Sequence, residues 1–113
     1  MRGSASGRPV MILLDLLGRR WALRVLWELR DGALSFRALR ERCDDVSPSV
    51  LNTRLAELRE AGVLAAGEEG YALTPAGAEL LGLLHPLHRW ADVHLEGHPL
   101  RGGGSPGSGD TSD

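Results

Sequence analysis

The segment 47–62 constrains this chain more than any other. Ser47-Pro48 opens it with a hydroxyl able to accept a bond from a first-turn N–H and a proline whose fixed φ suits the first helical position, and Gly62 closes it. Between them Leu51, Leu55 and Leu58 recur at helical spacing, flanked by Val50 and Ala61, so the pattern predicts a helix over 48–61 with one buried stripe. The opposite face carries Ser49, Asn52, Thr53 and Ala56. A helix face that only meets water usually carries more Lys, Glu and Arg. This one is small, uncharged and able to donate and accept hydrogen bonds, which suits close approach to base edges.

What precedes it fits a helix-turn-helix. Ser35 is a good N-cap for a short helix over 36–43, whose Phe36, Leu39 and Cys43 share an inner face while Arg37 and Glu41 point outward. Asp44-Asp45-Val46 then supplies the turn. Further upstream, 10–17 and 21–29 read as two helices bent near Gly18. In the second, Trp21, Ala22, Val25, Leu26 and Leu29 fall on one face, with Arg20 and Arg24 opposite. Leu23 and Trp27 form another apolar strip that needs a cover, either the C-terminal helix or a partner subunit.

Downstream, 63–66 and 71–74 are short extended runs around Gly67-Glu68-Glu69-Gly70, a β-hairpin pattern. Thr74-Pro75 opens a last helix with a broad apolar face of Leu80, Leu83, Leu84, Leu87, Trp90 and Ala91. Pro86 inside it is expected to kink or split the helix, at a local cost of roughly 3 kcal/mol. The fold class is therefore mainly α with a small β-hairpin, a winged helix-turn-helix.

A chain of 113 residues holds one such domain, assigned to 10–96, with 1–9 as a flexible leader and 97–113, rich in Gly, Ser, Pro and Asp, as a disordered tail. The apolar stretch 10–17 is too short for a membrane span and Asp15 interrupts it; arginines follow where a signal peptide would need a cleavage site. One cysteine excludes an internal disulfide framework, and a cytoplasmic protein is the expectation. A net charge of −2 argues against a nucleic-acid partner, but residues 1–30 carry six arginines against Asp15 and Glu28.

These elements and several strings together resemble the HxlR-type winged-helix transcription regulators, relatives of the MarR group. The strings are Leu16-Leu17-Gly18-Arg19-Arg20-Trp21, Phe36-Arg37-Ala38-Leu39, Ser47-Pro48 with Leu51, Arg54-Leu55-Ala56-Glu57-Leu58, Ala61-Gly62-Val63-Leu64 and Tyr71-Ala72-Leu73-Thr74-Pro75-Ala76-Gly77. They span roughly residues 12–91. The resemblance implies a bacterial homodimer on an inverted repeat of double-stranded DNA, with helix 47–61 in the major groove. It implies Ser47, Ser49, Asn52 and Thr53 at the DNA, and Arg54 either on a phosphate or in a structural salt bridge. Arg37, Arg19 and Arg20 are backbone-contact candidates or solvated surface arginines. Leu13, Leu14, Leu17, Leu84, Leu87 and Trp90 are the expected dimer contacts. Two departures stand out: the hairpin is short, with Glu68 and Glu69 at its tip where relatives often carry a longer basic wing, and Ser49 stands where relatives often have arginine.

Other chemistry weighs less. Cys43 is either a redox sensor or a small core residue, and its shared face with Phe36 and Leu39 favours the core. His85, His88, His94 and His98 crowd the C-terminal region, but helical geometry sets His94 apart from His85 and His88, so no metal is expected. Trp21, Trp27 and Trp90 either line an effector pocket or serve core and dimer packing. No phosphate loop, nucleophile elbow or zinc pattern occurs, so neither an enzyme nor a bound cofactor is expected. Two alternatives remain: a winged helix used for protein interaction, or a ligand- or redox-sensing regulator with a small-molecule effector.

Overall fold

The computed structural model describes residues 8–97. Its order is α1 (Pro9–Leu17), α2 (Ala22–Glu28), α3 (Phe36–Arg42), α4 (Pro48–Glu60), β1 (Leu64–Gly67), β2 (Gly70–Leu73) and α5 (Pro75–Leu95). This is the winged helix-turn-helix architecture expected above. The leader's residues 1–7 and the tail beyond Gly97 lie outside the described residues. The chain divides between Leu83 and Leu84 into two compact units.

In the first unit the core gathers one stripe from each helix of the motif. Val25, Leu26 and Leu29 come from α2 and its cap, Leu39 and Cys43 from α3 and its cap, and Leu51, Leu55 and Leu58 from α4. The capping residues act as expected: Ser35 Oγ accepts from the Ala38 N–H at 3.0 Å and Ser47 Oγ from Val50 at 3.3 Å. The turn between α3 and α4 places Asp44 and Asp45 at φ 59° and 58°, a left-handed conformation that aspartate tolerates better than most residues. Arg40 pins this turn by donating from Nε to the Val46 carbonyl at 2.7 Å.

The hairpin pairs Leu64 with Leu73 through Gly67 with Gly70, leaving Glu68-Glu69 as a two-residue tip. Each strand sits one residue away from the expected run. Leu34 adds a single bridge to Tyr71, with N–H···O bonds of 3.0 and 2.8 Å in the two directions. Gly70, at φ 109°, is what permits this contact, since a Cβ there would stand 2.2 Å from the Leu34 carbonyl oxygen. Thr74 then starts α5 by accepting from the Gly77 N–H at 3.0 Å while donating to the Gly62 carbonyl at 2.6 Å.

Two expectations need correction. Trp21 is not on the core face of α2; it is the N-cap, half-buried, at φ 78°, because the link 18–21 must turn the chain between two helices within four residues. Pro86 does not split the last helix, and α5 runs as one element of 21 residues. On α5, Leu83, Leu87 and Trp90 are exposed and Gly77 is the only buried residue.

Candidate nucleic-acid interface

α4 presents two faces of opposite character. Leu51, Leu55 and Leu58 anchor one in the core, with 0 to 1% exposure. That fixes the helix's rotation, so Ser49, Asn52, Thr53 and Ala56 all reach solvent. Thr53 Oγ1 donates to the Ser49 carbonyl at 3.0 Å, which holds its side chain along the helix and leaves its oxygen able to accept. Ser47 has its oxygen engaged in capping. Arg59, exposed and two helical turns beyond Asn52, extends the same face with a cation. Its position within the Arg-Glu string at the end of the helix hid it from sequence reasoning.

The arginines separate into engaged and available groups. Arg54 is engaged inside the protomer: its Nη1 donates to Glu57 Oε1 at 2.8 Å and its Nε to the Arg20 carbonyl at 2.8 Å, with the side chain only 20% exposed. The structural salt bridge read for Arg54 forms within the protomer. Arg19 is also paired, at 2.7 Å to Glu57 Oε2 and 2.9 Å to Asp15. Its guanidinium holds its proton more firmly than usual, chiefly through the Asp15 hydrogen bond and then the Glu57 charge. Arg20 lies 5.9 Å from the Trp21 ring centroid. Arg37, on the outer side of α3, is exposed and makes no ion pair among the described residues. The wing tip offers Glu68 and Glu69, both exposed, so it carries the wrong charge for a phosphate.

Apolar surface lies elsewhere in each unit. α1 has no buried residue, and Val10, Met11, Ile12 and Leu14 are 47 to 56% exposed, while Leu13 and Leu17 are half-buried. In the second unit Leu87, Trp90 and Val93 are 63, 54 and 77% exposed, and Leu84 is half-buried. Val10, Met11, Ile12 and Val93 were not among the expected contacts; the signal was there, in that α1 is apolar on every side except Asp15.

Cys43 is fully buried, and burial pushes its thiol up to about 12, with Arg24 opposing and Glu28 and Asp44 adding to the rise. A thiolate is what reacts, and burial disfavours that form here. His88 pairs with Asp92 at 3.4 Å and His94 stacks on Trp90 at 4.5 Å. No group of His, Cys, Asp or Glu among the described residues has metal-binding geometry, and His98 lies outside them. Trp27 lies under the Arg30 guanidinium, 4.4 Å from its centroid. No helix among the described residues is long and apolar enough to cross a membrane.

Comparison with known proteins gives this arrangement a context. Residues 16–99 match the family described as HxlR-like helix-turn-helix. The HTH-type transcriptional regulator YvaP of Bacillus subtilis is 28% identical over 90 residues, covering 74% of this chain and 83% of its own. Another HTH-type transcriptional regulator, from Methanocaldococcus jannaschii, is 26% identical over 84 residues, covering 71% of this chain and 79% of its own. The quinone-bound crystal structure of YodB from B. subtilis superposes with a TM-score of 0.70 at 28% identity, covering 74% of this chain and 96% of that one. With the family match running from the end of α1 through the helix-turn-helix, the wing and α5, this chain belongs to the HxlR-like helix-turn-helix family of transcriptional regulators.

Proposed function

We propose that the protein acts in the cytoplasm as a homodimer on an inverted-repeat operator, with α4 of each protomer in the major groove. The uncharged outer face of α4 carries this reading. Core packing turns Ser49, Asn52 and Thr53 outward together, and asparagine and the hydroxyls offer donors and acceptors matched to base edges. Ser47 lies at the helix start, where the first-turn N–H groups favour a phosphate. Arg37, Arg59 and Arg20 supply the backbone contacts; Arg19 and Arg54 serve the protomer's own ion pairs.

Self-association is supported by the exposed side chains of α1, foremost Leu14 with Val10, Met11 and Ile12, and separately by Leu87 and Trp90 on α5. Contiguous apolar surface of this kind marks an association site more often than a solvated face. Leu13, Leu17 and Leu84, already half-buried, contribute less. Two recognition helices related by a dyad would read half-sites about 34 Å apart. A small-molecule effector is a second element of the proposal, prompted by the quinone-bound state of YodB.

Selection from a pool of random duplex DNA at moderate salt, with sedimentation of the unbound protein, tests the reading. Enrichment of an inverted repeat by a protein that sediments as a dimer supports it. A stable dimer that enriches nothing assigns the fold to protein interaction, which the acidic wing tip and the net charge of −2 would then explain.

A further inference from the structure

We infer that Glu57 is a positioning residue that locks the α1–α2 link to the recognition helix, so that the pose of the DNA-reading face depends on the state of α1. The inference rests on the proposed DNA reading for its consequence, though not for the lock itself.

Both oxygens of this carboxylate are engaged, each on a different element. Oε2 accepts from Arg19 Nη1 at 2.7 Å, and Oε1 accepts from Arg54 Nη1 at 2.8 Å. Arg54 returns to the link by donating from Nε to the Arg20 carbonyl at 2.8 Å, and Arg19 reaches back into α1 by donating to Asp15 at 2.9 Å. A continuous path thus runs from Asp15 of α1 through Arg19, Glu57 and Arg54 to the backbone of Arg20. The peptide that Arg54 holds is the one entering Trp21, whose φ of 78° is strained for a bulky residue. Such a conformation persists only where its surroundings over-determine it, and Arg19 and Arg54 grip the link from either side of the Glu57 carboxylate.

On α4 the lock and the reading face are neighbours. Arg54 directly follows Asn52-Thr53, so even a small adjustment of α4 within its leucine-packed seat that lets Arg54 and Glu57 shift moves Asn52 and Thr53 with them. Hydrogen bonds to bases weaken steeply with angle and distance, which makes the reading face sensitive to small rotations. The fold does not need the lock in the same way. Leu51, Leu55 and Leu58 hold α4 in the core, and ion pairs still partly open to water contribute far less to stability than that packing.

Glu57→Gln keeps the side chain's shape but replaces one accepting oxygen with an N–H₂ group that cannot accept from arginine. Two measurements on the full chain decide the matter. In ¹⁵N NMR without DNA, the Arg20 and Trp21 amide signals are expected to shift in the variant; signals unchanged at both positions would refute the lock. Against the inverted repeat selected by the wild type, the variant's affinity should fall about tenfold, the scale of one lost base contact. For an unrelated duplex of equal length it should hold or rise, because an anionic group has been removed from the DNA-facing helix. Affinities that rise together on both duplexes would show a charge effect only and overturn the positioning role. A wild type that selects no sequence removes the DNA consequence along with the proposed function, and the NMR result then stands alone for or against the lock.

Discussion

Replacing Gly77 by alanine sets two effects against each other, and the structure decides the sign. Within a helix the change gains roughly 1 kcal/mol of intrinsic propensity. At this position, however, a Cβ would stand 2.1 Å from the Val63 carbonyl oxygen and 3.0 Å from its carbon, both backbone atoms that cannot rotate away. The first turn of α5 must lift off β1's approach, an overpacking strain of about 2 kcal/mol. The Thr74 N–H bond to that same carbonyl, 3.1 Å long, loosens with it and removes about 1 kcal/mol more. The net expectation is a loss of about 2 kcal/mol, a fall in Tm of about 8–16 °C for a domain of this size. Gly82→Ala is the matched control, since a Cβ there meets nothing within 4 Å and only the propensity gain remains. Thermal unfolding followed by circular dichroism, at one protein concentration for all three chains, reads both changes. If Gly77→Ala proves as stable as Gly82→Ala, α5 does not pack against Val63 as described.

Further expectations concern the thiol, the caps and the wing. Burial holds the Cys43 proton to about 12, so the native state keeps a proton that the unfolded chain releases near 8.5; stability should therefore fall as pH rises above about 8.5, by at most ~1.4 kcal/mol per pH unit. Urea titrations of the wild type and Cys43→Ala between pH 7 and 10 check it, and parallel curves would count against it. Ser47→Ala should cost about 1 kcal/mol in the same assay through loss of the cap on Val50, and no change would mean that the bond contributes nothing. Exchanging Glu68 and Glu69 for lysine should tighten binding to any duplex and steepen its salt dependence by up to about 0.9 per new phosphate contact; an unaltered slope would keep the wing away from DNA.

Local signals made most of the fold legible. Serine caps, the prolines after Ser47 and Thr74 and the leucine stripe of α4 act within one or two turns, and each formed where the sequence pointed. Failures came where the deciding partner is remote. Leu34 is a single bridging residue with no alternation to announce it, so its pairing with Tyr71 went unseen. No local spacing announces the Glu57 pairing with Arg19, 38 residues away, or the Arg54 bond to the Arg20 carbonyl, 34 residues away. Trp21 fitted the helical period of α2, yet the short link after Gly18 claimed it as a left-handed cap. Asn52 and Thr53, by contrast, were readable because a buried stripe fixes what lies opposite it.

The measurement that bears most directly on function is the affinity of the Asn52→Ala, Thr53→Ala double variant for the selected inverted repeat and for an unrelated duplex. Both side chains are exposed and remote from the core, so the variant should fold and sediment like the wild type. A loss of preference for the repeat, with unrelated duplex bound as before, is the outcome expected of a helix that reads bases through this face. Undiminished preference in a folded variant would contradict it and move recognition to another part of the chain.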